Sequence, residues 1–258
     1  MSTQVDAVVN LFAGTVRGWR GTAVRGRARK TPEKLLKLYD IEASPFCRLV
    51  REALSEMDLD VLILPCPAGG TRFRPQAKAL LKNTTFPMLV DENTGEMMNE
   101  SAHIIDYLAR TYEGGVQAQK GPFRGLAVGT SVLSTLFGLR SHGLSGLKAR
   151  PSREPAQPLE LFSFESSPFS KPVRARLCEL ELPYVLRNTA KGAMSDMGPP
   201  SFRDKLFKGP KGTTRNRALL FEKTGKVQVP YLIDPNTGVE MYESQAILNY
   251  LDQTYAVR

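Results

Sequence analysis

A chain of 258 residues, 41% hydrophobic and 24% charged, is long enough for two modest domains and too polar for a membrane-embedded bundle. Three cysteines and no secretory leader exclude a disulfide-dense scaffold and point to a reducing compartment. No apolar run approaches the roughly 20 residues that span a bilayer. The net charge of +9 is spread unevenly. Arg17, Arg20, Arg25, Arg27, Arg29 and Lys30 occur without an intervening acid, and Arg140, Lys148, Arg150 and Arg153 are opposed only by Glu154. Such runs are either solvated basic segments or contacts for an anionic surface. No aromatic interleaving or nucleic-acid motif accompanies them, so no specific nucleic-acid partner is expected. The Arg-rich start also fits an organellar leader, but Asp6 and the pattern that follows argue against removal.

In chain order, Val8 to Gly14 reads as a short apolar helix stopped by glycine, followed by the first basic linker. Lys37 to Ile41 alternates and is β-rich. Ser44-Pro45 fits a helix start, and Val50, Ala53, Leu54 and Met57 continue at helical spacing. Asp60 to Leu64 is a strand, Pro65 to Gly70 a loop and Pro75 to Lys82 a helix. Met88 to Asp91 and Glu96 to Asn99 form a hairpin around Glu92 to Gly95. Glu100-Ser101 opens a last helix through Ile104, Ile105, Tyr107 and Leu108. A connector with a second apolar stretch, Val132 to Gly138, and a second basic linker follows.

The chain then repeats itself. Leu36 to Tyr39, Glu42-Ala43-Ser44-Pro45-Phe46-Cys47 and Val50-Arg51 return as Leu159 to Phe162, Glu165-Ser166-Ser167-Pro168-Phe169-Ser170 and Val173-Arg174. Phe86-Pro87, Asn93-Thr94-Gly95 and Glu100-Ser101 return as Val229-Pro230, Asn236-Thr237-Gly238 and Glu243-Ser244. Two blocks recurring in one order indicate a duplicated domain. The second copy carries a longer excursion between Asn188 and Gln228. The implied division is 1–34 for the N-terminal helix and linker, 35–113 for the first domain, 114–157 for the connector and 158–258 for the second domain. Each domain has the order βαβαββα, which predicts an α/β fold with a mixed sheet flanked by helices.

The Ser-Pro-Phe-Cys turn, the hydrophobic residue and proline before a hairpin, and Glu-Ser opening the final helix resemble the glutathione-binding half of glutathione transferases, and also glutaredoxins. The chain resembles most the tandem glutathione S-transferase N-terminal-like proteins of bacteria, cyanobacteria and plants, through those elements, Pro65-Cys66-Pro67 with Arg72 and Arg74, and Asn188 to Gly192. The resemblance implies two tandem thioredoxin-like domains arranged as an internal pseudo-dimer in a monomer. It implies glutathione as bound co-substrate, with an electrophile or thiol/disulfide partner left open.

By that resemblance Pro87 and Pro230 are cis, turning the backbones of Phe86 and Val229 toward glutathione; the plain alternative is proline at a strand's first residue. Glu100, Ser101, Glu243 and Ser244 would hold the γ-glutamyl end at a helix start, or else simply cap the helix. Phe46, Ser167 and Phe169 would line the two pockets, and Arg72, Arg74, Lys82, Lys191 and Arg203 are candidates for the glycyl carboxylate. Ser44 and Cys47 are the expected catalytic pair. Ser44 stands where glutaredoxins carry the nucleophilic cysteine and would donate to a glutathione thiolate. Cys47 is either a thiol made acidic by the helix start or a packing residue. Cys178 reads as an inert core thiol, and the absence of a Cys-x-x-Cys pair rules out an intramolecular redox turn. Only His103 and His142 are available, so no metal is expected. The leading expectation is glutathione transferase or glutathione-dependent thiol transferase activity in the cytoplasm, or in an organellar stroma or matrix for a eukaryotic chain. The alternative is a non-catalytic thioredoxin-like scaffold whose basic segments meet an anionic partner.

Overall fold

The computed structural model describes residues 20–25, 28–113, 145–196 and 212–257. The apolar stretches Val8 to Gly14 and Val132 to Gly138, together with Arg203 and His142, lie outside them. The first repeat runs β1 (Leu36–Asp40), α1 (Pro45–Glu56), β2 (Val61–Pro65), α2 (Phe73–Leu80), β3 (Met88–Asp91), β4 (Glu96–Asn99) and α3 (Ser101–Tyr112). The second runs β5 (Leu159–Ser163), α4 (Lys171–Glu179), β6 (Tyr184–Asn188), α5 (Arg215–Thr224), β7 (Tyr231–Asp234), β8 (Val239–Tyr242) and α6 (Ser244–Tyr255). The strands and the βαβαββα order fall where the apolar pattern places them. Helix α2 begins two residues earlier than expected from Pro75, because Phe73 turns into the core beside Ala77.

The strands form one eight-stranded mixed sheet in the order β4-β3-β1-β2-β6-β5-β7-β8. Alternation along β1 splits the packing: Leu36 and Leu38 face α1 and α3, whereas Tyr39 faces α2. On the α1/α3 side the core is continuous across both repeats, joining Val50, Leu54, Ile104 and Leu108 to Val173, Leu177, Ile247 and Leu251. On the other side each repeat keeps its own smaller cluster, around Phe73 and Met88 and around Leu220 and Tyr231.

The repeats meet where β2 and β6 pair antiparallel, Val61 with Leu186, Leu62 with Val185 and Ile63 with Tyr184. Val61 corresponds to Tyr184 and Ile63 to Leu186, so exchanging the repeats reproduces the register. A local two-fold therefore passes between Leu62 and Val185. The junction also hides two sheet edges that would otherwise be open to aggregation.

The two linkers obey the same symmetry. Ala23 bridges Lys191, beyond β6, and Lys148 bridges Ala68, beyond β2, so each linker crosses to the opposite repeat. Each then returns to its own repeat. The Arg25 and Arg150 amides donate to Glu56 and Glu179 carbonyls, and those of Arg29 and Arg153 to Tyr112 and Tyr255. The duplicated unit thus includes the described part of each basic linker.

Beside the two-fold lies a buried charge network. The Arg51 guanidinium donates to both oxygens of Asp40 at 2.7 Å and to Glu165 at 2.9 Å. Its counterpart Arg174 donates to Glu42 at 3.2 Å, to Ser163 at 3.1 Å and to the Glu165 carbonyl at 3.0 Å. Each arginine reaches the glutamate of the other repeat, so the ion pairs tie the halves together. The multiple donors satisfied per guanidinium are what make burial of such charge tolerable.

Each repeat also closes with a tyrosine pair on a buried aspartate. Tyr107 donates to Asp91 Oδ2 at 2.7 Å, joined by Tyr112, while Tyr250 and Tyr255 donate to Asp234 Oδ2 at 2.6 Å. Burial alone would raise the Asp91 pKa, but the Tyr112, Tyr107 and Asn93 donors outweigh it and hold the carboxyl below its ordinary range. Stability from this site is therefore present above the ordinary aspartate range near pH 4 and lost as pH falls through the lowered value. Asp91→Ala is expected to cost about 2 kcal/mol by stranding two hydroxyl donors, measured by urea unfolding at pH 7. A loss below about 0.5 kcal/mol would show that solvent replaces the carboxylate.

Candidate functional site

The C-terminal end of β1 delivers the chain to the Ser44-Pro45-Phe46-Cys47 turn. The pairing of Tyr39 with Met88 brings Phe86-Pro87 alongside it, and the β3–β4 hairpin returns to Glu100-Ser101 at the start of α3. The three motifs of each repeat therefore share one end of the sheet. Phe86–Pro87 and Val229–Pro230 are both cis peptides. Both prolines are buried, while Phe86 and Val229 remain partly exposed.

Ser44 is the N-cap of α1, with extended backbone (φ −79°, ψ 127°), and its Oγ accepts the Cys47 amide at 3.4 Å. That bond occupies a lone pair and leaves the hydroxyl proton to donate outward. Ser44 is partly exposed, and Phe46 stands 46% exposed next to it.

Glu100 and Glu243 sit at N-cap positions with nearly identical left-handed backbones, φ 70° and 71°. Neither side chain caps its helix. Glu100 is approached by Thr85 Oγ1 at 3.4 Å, and Glu243 by Gln228 Nε2 at 2.8 Å. A non-glycine residue held at positive φ in both copies is backbone strain of the kind that marks ligand sites. It points an exposed carboxylate away from the helix and leaves the first amides of α3 and α6 uncapped by that side chain, ready for an anion.

The structure sorts the basic candidates. Arg74 donates to the Cys66 carbonyl at 3.1 Å and lies 5.1 Å from the Phe86 ring centroid, at the edge of the first site. Arg72 instead reaches into the second repeat, to the Leu180 and Glu181 carbonyls at 2.9 and 3.1 Å, and serves the junction. Lys82 is exposed on the loop after α2, and Lys191 lies 5.5 Å from the Phe164 ring, beside the crossing linker.

Of the two readings open for Cys47, burial favours the packing residue. Its side chain is fully buried and its sulfur accepts the Ile41 amide at 3.4 Å. Burial, reinforced by Asp40, pushes the thiol well above its ordinary value, and Arg51 and the Ile41 and Ser44 hydrogen bonds do not offset it. The helix start, expected to make Cys47 acidic, is outweighed by desolvation. Cys66 is likewise buried and its thiol is pushed up; Cys178 is buried with its sulfur 3.3 Å from the Gly146 carbonyl. All three thiols are free. Exposure of the native protein to glutathione disulfide at pH 7.5 should leave Cys47 unmodified by intact mass, with an adduct forming only after denaturation. Rapid addition to native Cys47 would show that the thiol reaches solvent.

The second site is built from the same parts, with its turn serine buried. Ser167 is 2% exposed, and its Oγ accepts both the amide and the hydroxyl of buried Ser170, at 3.3 and 2.9 Å. Helix α4 starts only at Lys171, after a turn through Pro168 to Ser170. Ser244 donates to the Phe169 carbonyl at 2.8 Å, whereas the Ser101 hydroxyl has no partner among the described residues. Phe169 is 50% exposed, like Phe46. His103 is exposed, and among the described residues no cluster of three or more His, Cys, Asp or Glu side chains could hold a metal ion. Nor is any helix of the described residues long and apolar enough to cross a membrane.

Two copies of a βαβαββα unit, each with a proline before its hairpin and a Glu-Ser helix start, define a tandem thioredoxin-like protein. The family model for the glutathione S-transferase N-terminal domain matches residues 38–116 and again 161–258, and the chain belongs to that family. No curated protein and no solved structure matches the chain.

Proposed function

We propose that the first repeat binds glutathione and presents its thiolate to an electrophile, with Ser44 donating the stabilising hydrogen bond. The observation that carries this reading is the unequal exposure of the two serines: Ser44 is partly exposed, while Ser167 is 2% exposed, although the Oγ of each only accepts within its own turn. A thiolate formed at Ser44 would gain a charge-assisted bond at the start of α1, where the helix dipole adds to it. Ser101 and the free amides of α3 would take the γ-glutamyl carboxylate, Glu100 the ammonium, and Arg74 the glycyl carboxylate. In the second repeat, Glu243, Val229 and Pro230 keep the matching positions, but Ser167 is 2% exposed and Ser244 donates to the Phe169 carbonyl.

This favours transferase chemistry over thiol–disulfide exchange. Exchange requires an attacking protein thiolate, and the first-repeat candidate, Cys47, is buried and held protonated. The second repeat has Ser170 at that position. The second repeat then acts as the wall that covers the β2 edge.

Calorimetric titration of glutathione tests the assignment. Binding to one site is expected, weakened about tenfold or more by Ser44→Ala or Ser101→Ala, as for loss of a bond to a charged group. Ser244→Ala should leave it within about twofold. Binding lost in Ser244→Ala and retained in Ser101→Ala would transfer the site to the second repeat.

A further inference from the structure

The local two-fold matches Arg74 of α2 with Arg217 of α5, each in the first turn of its helix. Arg74 donates to the Cys66 carbonyl at 3.1 Å and Arg217 to the Thr189 carbonyl at 3.3 Å, each just past the neighbouring strand. The Cys66 and Thr189 amides in turn donate to the matching carbonyls of Asp40 and Ser163. The two guanidiniums differ in what they face. Arg74 is partly exposed, and no carboxylate of the described residues pairs with it. Arg217 is 2% exposed and lies 3.2 Å from the Asp196 carboxylate.

Asp196 has no counterpart in the first repeat. It ends a short 3-10 turn (Met194–Asp196) in the excursion that only the second repeat carries. Its carboxylate is fully buried. Oδ2 accepts the Gly192 amide at 3.2 Å and the Thr213 hydroxyl, while Oδ1 faces Arg217. Burial alone would raise its pKa, but Thr213, Arg217 and Gly192 outweigh it and hold the group below its ordinary value. A Cβ on Gly192 would fall 2.5 Å from Thr213 Oγ1, so amide and hydroxyl converge here only on a glycine backbone. Thr213 keeps part of its surface in solvent, which puts the cradle just under the surface. The buried hydroxyl of Thr189, whose carbonyl receives Arg217, has no partner among the described residues, so polar capacity is left over beside the guanidinium.

We propose that Arg217, Thr213 and the Gly192 amide form a carboxylate-binding site of the second repeat, filled by the chain's own Asp196 in place of a ligand. A guanidinium, a hydroxyl and a backbone amide around one carboxylate are the donors that recognise a free carboxylate. A carboxylate tethered to the site competes at an effective concentration of about millimolar or more. A ligand from solution therefore enters only when Asp196 is displaced. That the excluded ligand ends in a glycyl carboxylate rests on the reading of Arg74 given above; the site itself rests on Asp196.

The test uses the full chain carrying Asp196→Ala and follows its urea midpoint at pH 7 in sodium formate and in sodium N-acetylglycinate, against sodium chloride of equal ionic strength. The wild type, in which Arg74 alone is open, gives the baseline. The variant is expected to have the lower midpoint in chloride, and both carboxylates should restore about half of the loss, saturably and beyond any wild-type response. Adding Arg217→Met should remove that excess. If the single variant is unfolded in chloride, far-UV circular dichroism reads its refolding in the same salts. A variant that responds to neither carboxylate beyond the wild type would overturn the proposal. Rescue by formate alone would overturn it too, since a cavity left by a structural ion pair admits formate but not a glycyl unit. Neither result depends on whether glutathione binds the first repeat.

Discussion

Glu165→Gln is expected to destabilise the protein by about 3–5 kcal/mol, the usual cost of removing one member of a buried ion network. Glu165 accepts from Arg51 at 2.9 Å and Arg174 at 3.2 Å, with Arg48 at 3.9 Å. Its loss leaves two buried guanidiniums facing each other across the junction, with only Asp40 and Glu42 to balance them. The effect carries a pH signature. Burial alone would raise the Glu165 carboxyl, but Arg174 and Arg51 outweigh it and hold it down to about 2, from an ordinary 4.5. Because the folded value is the lower one, this stability is complete above about 4.5 and lost as pH falls toward 2. Asp40 has the opposite sign. Burial raises it to about 6 against the pull of Arg51, so the folded state takes up its proton first and gains relative stability as pH drops through that value. Urea unfolding of both proteins should therefore show a gap that narrows steadily below pH 4.5. A gap independent of pH would mean that Glu165 acts by shape rather than charge.

The duplication, the βαβαββα order of elements and the positions of both prolines and both Glu-Ser helix starts were legible in the sequence because each is a local pattern repeated. The junction was not. Pairing of β2 with β6 uses backbone groups that any strand offers, so Leu62 and Val185 carry no signal of it. The buried arginines did leave one: Val50-Arg51 and Val173-Arg174 recur inside apolar helix faces, where a solvated arginine has no place. Arg72 was indistinguishable from Arg74 by composition, and only the fold sends one across the junction and the other to Phe86. For Cys47 the sequence left an acidic thiol and a packing residue both open, because a helix start is visible in sequence and the depth of burial is not. The bonds of Ser170 to Ser167 and of Ser244 to the Phe169 carbonyl likewise join residues that look permissive one at a time.

The asymmetry has a physical source in a few replacements. Asp40 becomes Ser163, Glu52 becomes Ala175 and Cys47 becomes Ser170 while the framework is kept. Each change removes an acid or a thiol from the second copy, and Arg174 there pairs with Glu42 of the first as well as with its own Glu165. The charge balance is therefore shared, with Arg51 of the first copy pairing with Glu165 in return, which adds to the β2–β6 pairing in joining the two copies.

Gly21→Ala is expected to cost about 2–4 kcal/mol, since two penalties meet at this residue. Its backbone is left-handed at φ 72°, which an alanine resists by about 1–2 kcal/mol. An added Cβ would also fall 2.9 Å from the Glu165 Cβ and 3.3 Å from the Glu52 Cα, both in the buried junction, where overpacking adds about 1–3 kcal/mol. The linker cannot simply lift away. Arg20 donates to Glu56 at 2.6 Å, Thr22 pairs with Ser166, and the Lys191 amide donates to the Thr22 carbonyl at 2.8 Å. Gly95→Ala is the control, having φ 78° and no atom within 4 Å of the added carbon, so it should lose only the conformational share. Gly146, whose Cβ would stand 3.2 Å from Glu42 and 3.3 Å from Ala175, should fall between them. Urea midpoints for the three variants should rank Gly21 lowest and Gly95 highest. Equal losses at Gly21 and Gly95 would show that the linker rests on the junction without being packed into it.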